Sequence, residues 1–159
     1  MVVCATVIEV SAQRSIAAGA DALWPLISDP ARLPDWFTFA ERVEVLVGGP
    51  DGPGQRRRQH GHWGKRRSEV DQLITRWEPP LALAWTHEAE RLNGKPAPRF
   101  AASTDFTIEL VPDGTGTRVR LRSAQVPAGP LRGLVIRAFG RREVATALND
   151  SLERLAAAS

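Results

Sequence analysis

The sequence predicts an α+β domain in which seven antiparallel strands and two short helices are closed by one long C-terminal helix. Three observations carry this. Short segments alternate apolar and polar residues, the period of a half-buried strand. Gly and Pro punctuate those segments at 48–54, at Pro79 and Pro80, and at Pro112, Asp113 and Gly114. The chain after Pro130 contains no further proline and places apolar residues at helical spacing.

In residues 6–14, Ile8, Val10 and Ala12 alternate with Glu9, Ser11 and Gln13, which makes the first strand. Over 20–28, Leu23, Trp24 and Ile27 fall at helical spacing, with Asp21 in the first turn where a carboxylate suits the helix dipole. Asp29 and Pro30 read as an N-cap and first helical position of a second short helix that ends by Trp36. Val43, Val45 and Val47 form a strand before the glycine-rich loop. A hairpin follows, 55–61 and 66–77, with its turn at 62–65. Segments 81–89, 100–111 and 117–125 supply three more strands. Val119 and Leu121 share one face of the last while Arg118, Arg120 and Arg122 share the other, so one face of the sheet meets solvent. Leu131, Leu134, Ala138, Ala145, Leu148, Leu152 and Leu155 mark one stripe of the terminal helix.

The 159 residues suit a single domain, 1–159. With 43% hydrophobic and 25% charged residues, disorder and fibrous repeats are excluded. The lone cysteine, Cys4, forms no internal disulfide, and no secretory h-region or apolar run of about 18 residues is present. A cytoplasmic location is expected. There is no Tyr, so no phenol serves as acid, base or oxyanion donor. The net charge of +3 is uneven: Arg56, Arg57, Arg58, Lys65, Arg66 and Arg67 share one hairpin. A solvated hairpin or a polyanion contact gives such a cluster.

Ala20-Asp21-Ala22-Leu23-Trp24, Ser28-Asp29-Pro30, Leu33-Pro34-Asp35-Trp36, Trp77-Glu78-Pro79-Pro80 and Leu83-Ala84-Trp85, in this element order, resemble the START-like (SRPBCC) superfamily. Its helix-grip, Bet v 1-like fold is shared by plant ligand binders and polyketide cyclases, and these segments are most similar to the bacterial polyketide cyclase/dehydrase-like branch. The resemblance implies a curved sheet concave toward the long helix, with lipids, hormones or polyketides held between them. On that geometry strand alternation turns inward Val70, Gln72 and Ile74; Leu83, Trp85 and His87; Ala102, Thr104 and Phe106; and Leu121 and Ser123. Trp36, Phe37 and Phe39 would close one end. Leu131, Leu134, Val135 and Ala138 would line the helix side. The expected pocket is largely apolar, with a few polar groups.

The glycine-rich loop lacks the Gly-Lys-Ser/Thr ending that a nucleotide phosphate needs. His60 and His62, two apart on a strand, could project together as metal ligands, but no third ligand is evident and no metal or other cofactor is expected. His87 is the candidate acid or base, unless a neighbour such as Thr104 or Asp105 simply satisfies it. Arg141 or Arg142 could reach the pocket mouth or extend to solvent. Three functions compete. The first is a carrier of a small hydrophobic molecule, and the second a polyketide cyclase or dehydratase in the same pocket. The third is a regulatory protein meeting polyanions through the basic hairpin. The first is preferred, with no nucleic acid, no membrane insertion, and a monomer or homodimer.

Overall fold

The computed structural model describes residues 6–49, 52–98 and 101–159, excepting the side chains of 138 and 139. Cys4, and the start of the expected strand at Phe100, lie outside the described residues. Eight strands form one antiparallel sheet: β1 (Ile8–Ile16), β2 (Arg42–Val47), β3 (Arg56–Trp63), β4 (Arg66–Glu78), β5 (Ala82–Leu92), β6 (Lys95–Pro96), β7 (Ala101–Asp113) and β8 (Gly116–Pro127). Their order is β1-β8-β7-β5-β4-β3-β2, with β6 added to β5. The two-residue β6 is the one strand that alternation could not announce. Register shifts at Asp71/Gln72 and Ile74/Arg76 bend β4 against β5, since an extra residue in one strand increases local twist.

Helix α1 (Ala20–Ser28) follows β1 and buries Leu23, Leu26 and Ile27. The second short helix is a single 3-10 turn, Leu33–Asp35. Asp29 terminates α1 with its N–H on the Pro25 carbonyl, and its carboxylate accepts the Ala31 N–H at 2.9 Å. The side chain thus closes a local turn instead of opening a helix.

The terminal helix has three parts: α2 (Pro130–Val135), a π turn (Ile136–Gly140) and α3 (Arg141–Ala158). The stripe expected along its whole length is divided. Leu148, Leu152 and Leu155 are buried, whereas Leu131 and Leu134 are 78% and 62% exposed. A π turn inserts a residue into the helical repeat and rotates what precedes it away from the face that follows.

The core gathers Leu23 and Ile27 of α1, Trp36, the inward residues Ile74, Leu83, Ile108 and Leu121 of four strands, and Leu148, Leu152 and Leu155 of α3. On the opposite face of the sheet Arg120 and Arg122 meet Glu9 of β1.

Candidate ligand-binding site

Between the sheet and one face of α3 lies a cavity of about 800 Å³. Its floor is aromatic. Trp85 of β5 and Phe106 of β7 are cross-strand partners, and their rings stack at 4.8 Å and 16°. Phe37 stands edge-on to both, 5.8 Å from Trp85 and 5.3 Å from Phe106, and Phe39 lies 5.0 Å beyond it. Edge and offset contacts are those that ring quadrupoles favour.

Two devices hold Phe37 and Phe39 in place. Thr38 between them is latched to α3: its N–H donates to Ser151 Oγ at 3.0 Å and its hydroxyl to the Ala147 carbonyl at 3.1 Å. Gly61 of β3 lets the same segment cross the sheet, because a Cβ there would lie 2.5 Å from the Phe39 carbonyl oxygen.

Above the floor the wall is polar. Gln72 Nε2 donates to Gln59 Oε1 at 3.1 Å, and Gln125 Nε2 donates to Thr104 Oγ1 at 3.4 Å. His87 Nδ1 is 3.3 Å from Glu90 Oε1. Opposite them α3 contributes Arg142, Glu143, Val144, Thr146, Ala147, Asp150 and Arg154, and the β3–β4 turn contributes Trp63 and Gly64 at the rim. The chamber is therefore more polar than alternation suggested. Sequence reasoning missed Gln59, although it alternates with Gly61 on the inward face of the hairpin, and missed Val144 and Ala147, which flank the Leu148 stripe.

Of the residues expected to form the pocket, Phe37, Phe39, Gln72, Trp85, His87, Thr104 and Phe106 border this cavity, as do Val70 and Ser123. Trp36, Ile74, Leu83 and Leu121 do not. Ile74, Leu83 and Leu121 share the right face but lie further along their strands, and with Trp36, whose Nε1 donates to the Leu26 carbonyl at 2.7 Å, they are sealed in the core. Leu134 and Val135 are exposed, as is Leu131, because they precede the π turn. The side chain of Ala138 is outside the described residues. Of the two arginines, Arg142 borders the cavity. The partner of His87 is also a correction. It is Glu90 and not Thr104 or Asp105, because Asp71 opposes Ala89 while Gln72 opposes His87, leaving Glu88 as an extra residue. That bulge returns Glu90 to the face of His87.

The basic hairpin is largely engaged within the fold. Arg56 Nε is 2.9 Å from Glu88, and Arg58 holds Asp71 at 2.7 and 3.2 Å. Arg91 reaches Asp71 at 2.8 Å and Glu69 at 3.4 Å, so the row joins β3, β4 and β5 on the outer face. The hydrogen bonds from Arg58 and then Arg91 hold the Asp71 carboxyl below its ordinary pKa, against the effect of burial. Arg57 is 0% exposed, with Nη2 3.0 Å from the Ser28 carbonyl. Burial pushes its pKa down to about 10, opposed by the charge of Asp29. This leaves Lys65, Arg66 and Arg67 at the turn end.

His60 and His62 are each occupied by a carboxylate of the neighbouring segment, His60 with Glu44 at 2.9 Å and His62 with Glu41 at 2.5 Å. No group of three His, Cys, Asp or Glu side chains suited to a metal occurs among the described residues. Among them, too, no helix is long and apolar enough to cross a membrane.

The geometry has close counterparts among known structures. The ginseng major latex-like protein 151 of Panax ginseng is 11% identical with a TM-score of 0.72, over 96% of this chain and 97% of its own. TTHA0849 of Thermus thermophilus is 22% identical with a TM-score of 0.68, over 96% and 99%. DynU16, from the dynemicin biosynthetic locus, is 18% identical with a TM-score of 0.63, covering 93% of this chain but 45% of that one. These likenesses show the helix-grip fold. No curated protein matches the sequence. The family model described as polyketide cyclase / dehydrase and lipid transport matches residues 7–159. The chain is a member of that family.

Proposed function

We propose that the chain binds a small, mainly apolar molecule, lipid- or polyketide-like, in the cavity between sheet and α3. The observation that carries this is the chamber itself. At about 800 Å³ it falls within the range of small-molecule sites, and it combines an aromatic floor with a few convergent polar groups. The family description, which names lipid transport, supports the same reading.

A second reading is a cyclase or dehydratase in the same chamber. It is favoured by one feature, the His87–Glu90 pair on the wall, in which a carboxylate orients an imidazole as a proton carrier requires. The family description and the biosynthetic locus of DynU16 are compatible with it. One comparison separates the two. An apolar aromatic probe should quench Trp emission saturably in the wild type, with much of the signal lost in Trp85→Phe. His87→Gln should alter affinity by about 1 kcal/mol, the scale of one hydrogen bond, and slow no reaction. Loss of turnover by about 10²-fold on a β-hydroxy ketone substrate, with affinity intact, would establish the enzyme instead.

A further inference from the structure

Strands β5 and β7 are hydrogen-bonded only from Ala82↔Glu109 to Thr86↔Asp105. Beyond Thr86, β5 continues with β4 and β6 while β7 continues with β8, so the two strands part. Each carries a bulge where they separate. Glu88 is the extra residue in β5, and in β7 Ala101 faces Pro127 while Ser103 faces Val126, leaving Ala102 unmatched. Between them is a second space of about 240 Å³, floored by the small side chains of Ala89, Ala97, Ala101 and Ser103.

This cleft is not independent of the main cavity. His87, Glu90 and Thr104 border both. Among the described residues these three stand between the chamber and the gap in the sheet, and they form a polar waist. Thr104 is 7% exposed. Its oxygen accepts from Gln125, which leaves its own hydroxyl proton to donate. A buried hydroxyl in this position favours a ligand oxygen over none.

We propose that chamber and cleft are one bipartite site for an elongated molecule. Its compact, aromatic or cyclic body lies on Trp85 and Phe106, an oxygen sits at the waist by Thr104 and His87, and an unbranched apolar arm runs between β5 and β7. This rests on the ligand-binding reading above and adds to it the shape of the ligand and the place of one oxygen. The alanines have a reason on this account: larger residues would close the gap and shield the strand edges that the parting exposes.

The 6-acyl-2-dimethylaminonaphthalenes test it, since one fluorophore carries a ketone between an aromatic body and a chain of chosen length. The hexanoyl compound should bind the wild type at least about tenfold more tightly than the propionyl compound, because three further methylenes leave water. Ala97→Phe should abolish that gain while keeping propionyl affinity within about twofold. Ala102→Phe, at an exposed position of the opposite strand, should do the same and serves if the first variant does not fold. Propionyl binding with no gain for hexanoyl, or a gain that survives in the folded variants, overturns the bipartite site and leaves the binding reading standing. Failure of both compounds to bind the wild type overturns both.

Discussion

The two ends of the concave face are built from the same strands yet do opposite things. Passing from the open end to the closed one, β4 presents Gln72 and then Ile74, and β5 presents His87, Trp85 and then Leu83. Strand β7 presents Thr104, Phe106 and Ile108, and β8 presents Gln125, Ser123 and Leu121. Each step of two residues keeps the face, and from the first residue to the last the polarity falls. At the closed end the apolar residues meet α1 and the Leu148, Leu152 and Leu155 face of α3, and the space is filled. At the open end the helix carries Thr146, Asp150 and Arg154, and a chamber remains. The same sheet is a core at one end and a binding wall at the other, because both its inward side chains and what covers them change along the strands.

The comparison predicts unequal responses to truncation. Leu83 is fully buried and Gln72 nearly so, on adjacent strands. Leu83→Ala leaves a void in a packed region and should cost about 3 kcal/mol in chemical denaturation, with probe affinity in the residual folded protein little changed. Gln72→Leu removes a bond to Gln59 at the cavity wall and should cost about 1 kcal/mol or less, while shifting probe affinity. Equal destabilisation by the two would mean that the Gln72–Gln59 bond secures the open end as much as packing secures the closed one.

A second contrast lies in what holds each end. Core packing secures the closed end, whereas the open end, beside the Glu88 bulge, is tied on its outer face by Arg56–Glu88 and by the Arg58, Asp71 and Arg91 row. Because the Asp71 pKa is lower in the folded chain than its ordinary value near about 3.9, the stabilisation is complete at neutral pH. It is lost as pH falls below that value and through the lower folded one. Protection factors of β4 and β5 amides near Asp71, corrected for the intrinsic exchange rate at each pH, should therefore fall on acidification before those around Leu83 do. Asp71→Asn should remove much of that acid dependence at a cost of about 1 kcal/mol at neutral pH. A uniform loss of protection across the sheet would deny the outer row any local role.

These contrasts also mark what is legible in the sequence. Alternation identifies which face a residue occupies, so it assigns Phe106, Trp85, Thr104 and Gln72 inward beside Ile108 and Leu83. It has no term for position along the strand, since Ile74 and Gln72 have the same parity. The distinction between wall and core is thus not available from period two. Glu90 is hidden for a sharper reason: one bulged residue inverts the parity of all that follows, and nothing about Glu88 in the sequence announces the bulge. The π turn does the same to the helix, where Leu131 and Leu134 continue the Leu148 stripe in spacing but not in space. The order of strands and helices, in contrast, is legible because Pro and Gly fix where each element stops.

Arg57 is the exception that tests the rule of an apolar closed end, and it yields the smallest expected effect. Its guanidinium lies under α1, with Nε 2.5 Å from Gln55 Oε1, Nη2 on the Ser28 carbonyl, and its carbon 6.0 Å from the Trp77 ring centroid. Among the described residues Nη1 has no hydrogen-bond partner. Desolvation lowers its pKa to about 10, so at neutral pH it stays charged and the folded state bears that cost; raising the pH above about 10 relieves it. Arg57→Met removes the charge and the unmet donor, and leaves the Ser28 carbonyl and Gln55 without their bonds. These changes oppose one another, and replacing buried ionic groups by apolar ones of similar volume is often neutral or stabilising. The expected change in unfolding free energy is within about 1 kcal/mol in either direction, well below that of Leu83→Ala. A loss as large as that of Leu83→Ala would show that the closed end depends on this cation, with its contacts to Ser28, Gln55 and Trp77 acting as a structural joint rather than a tolerated charge.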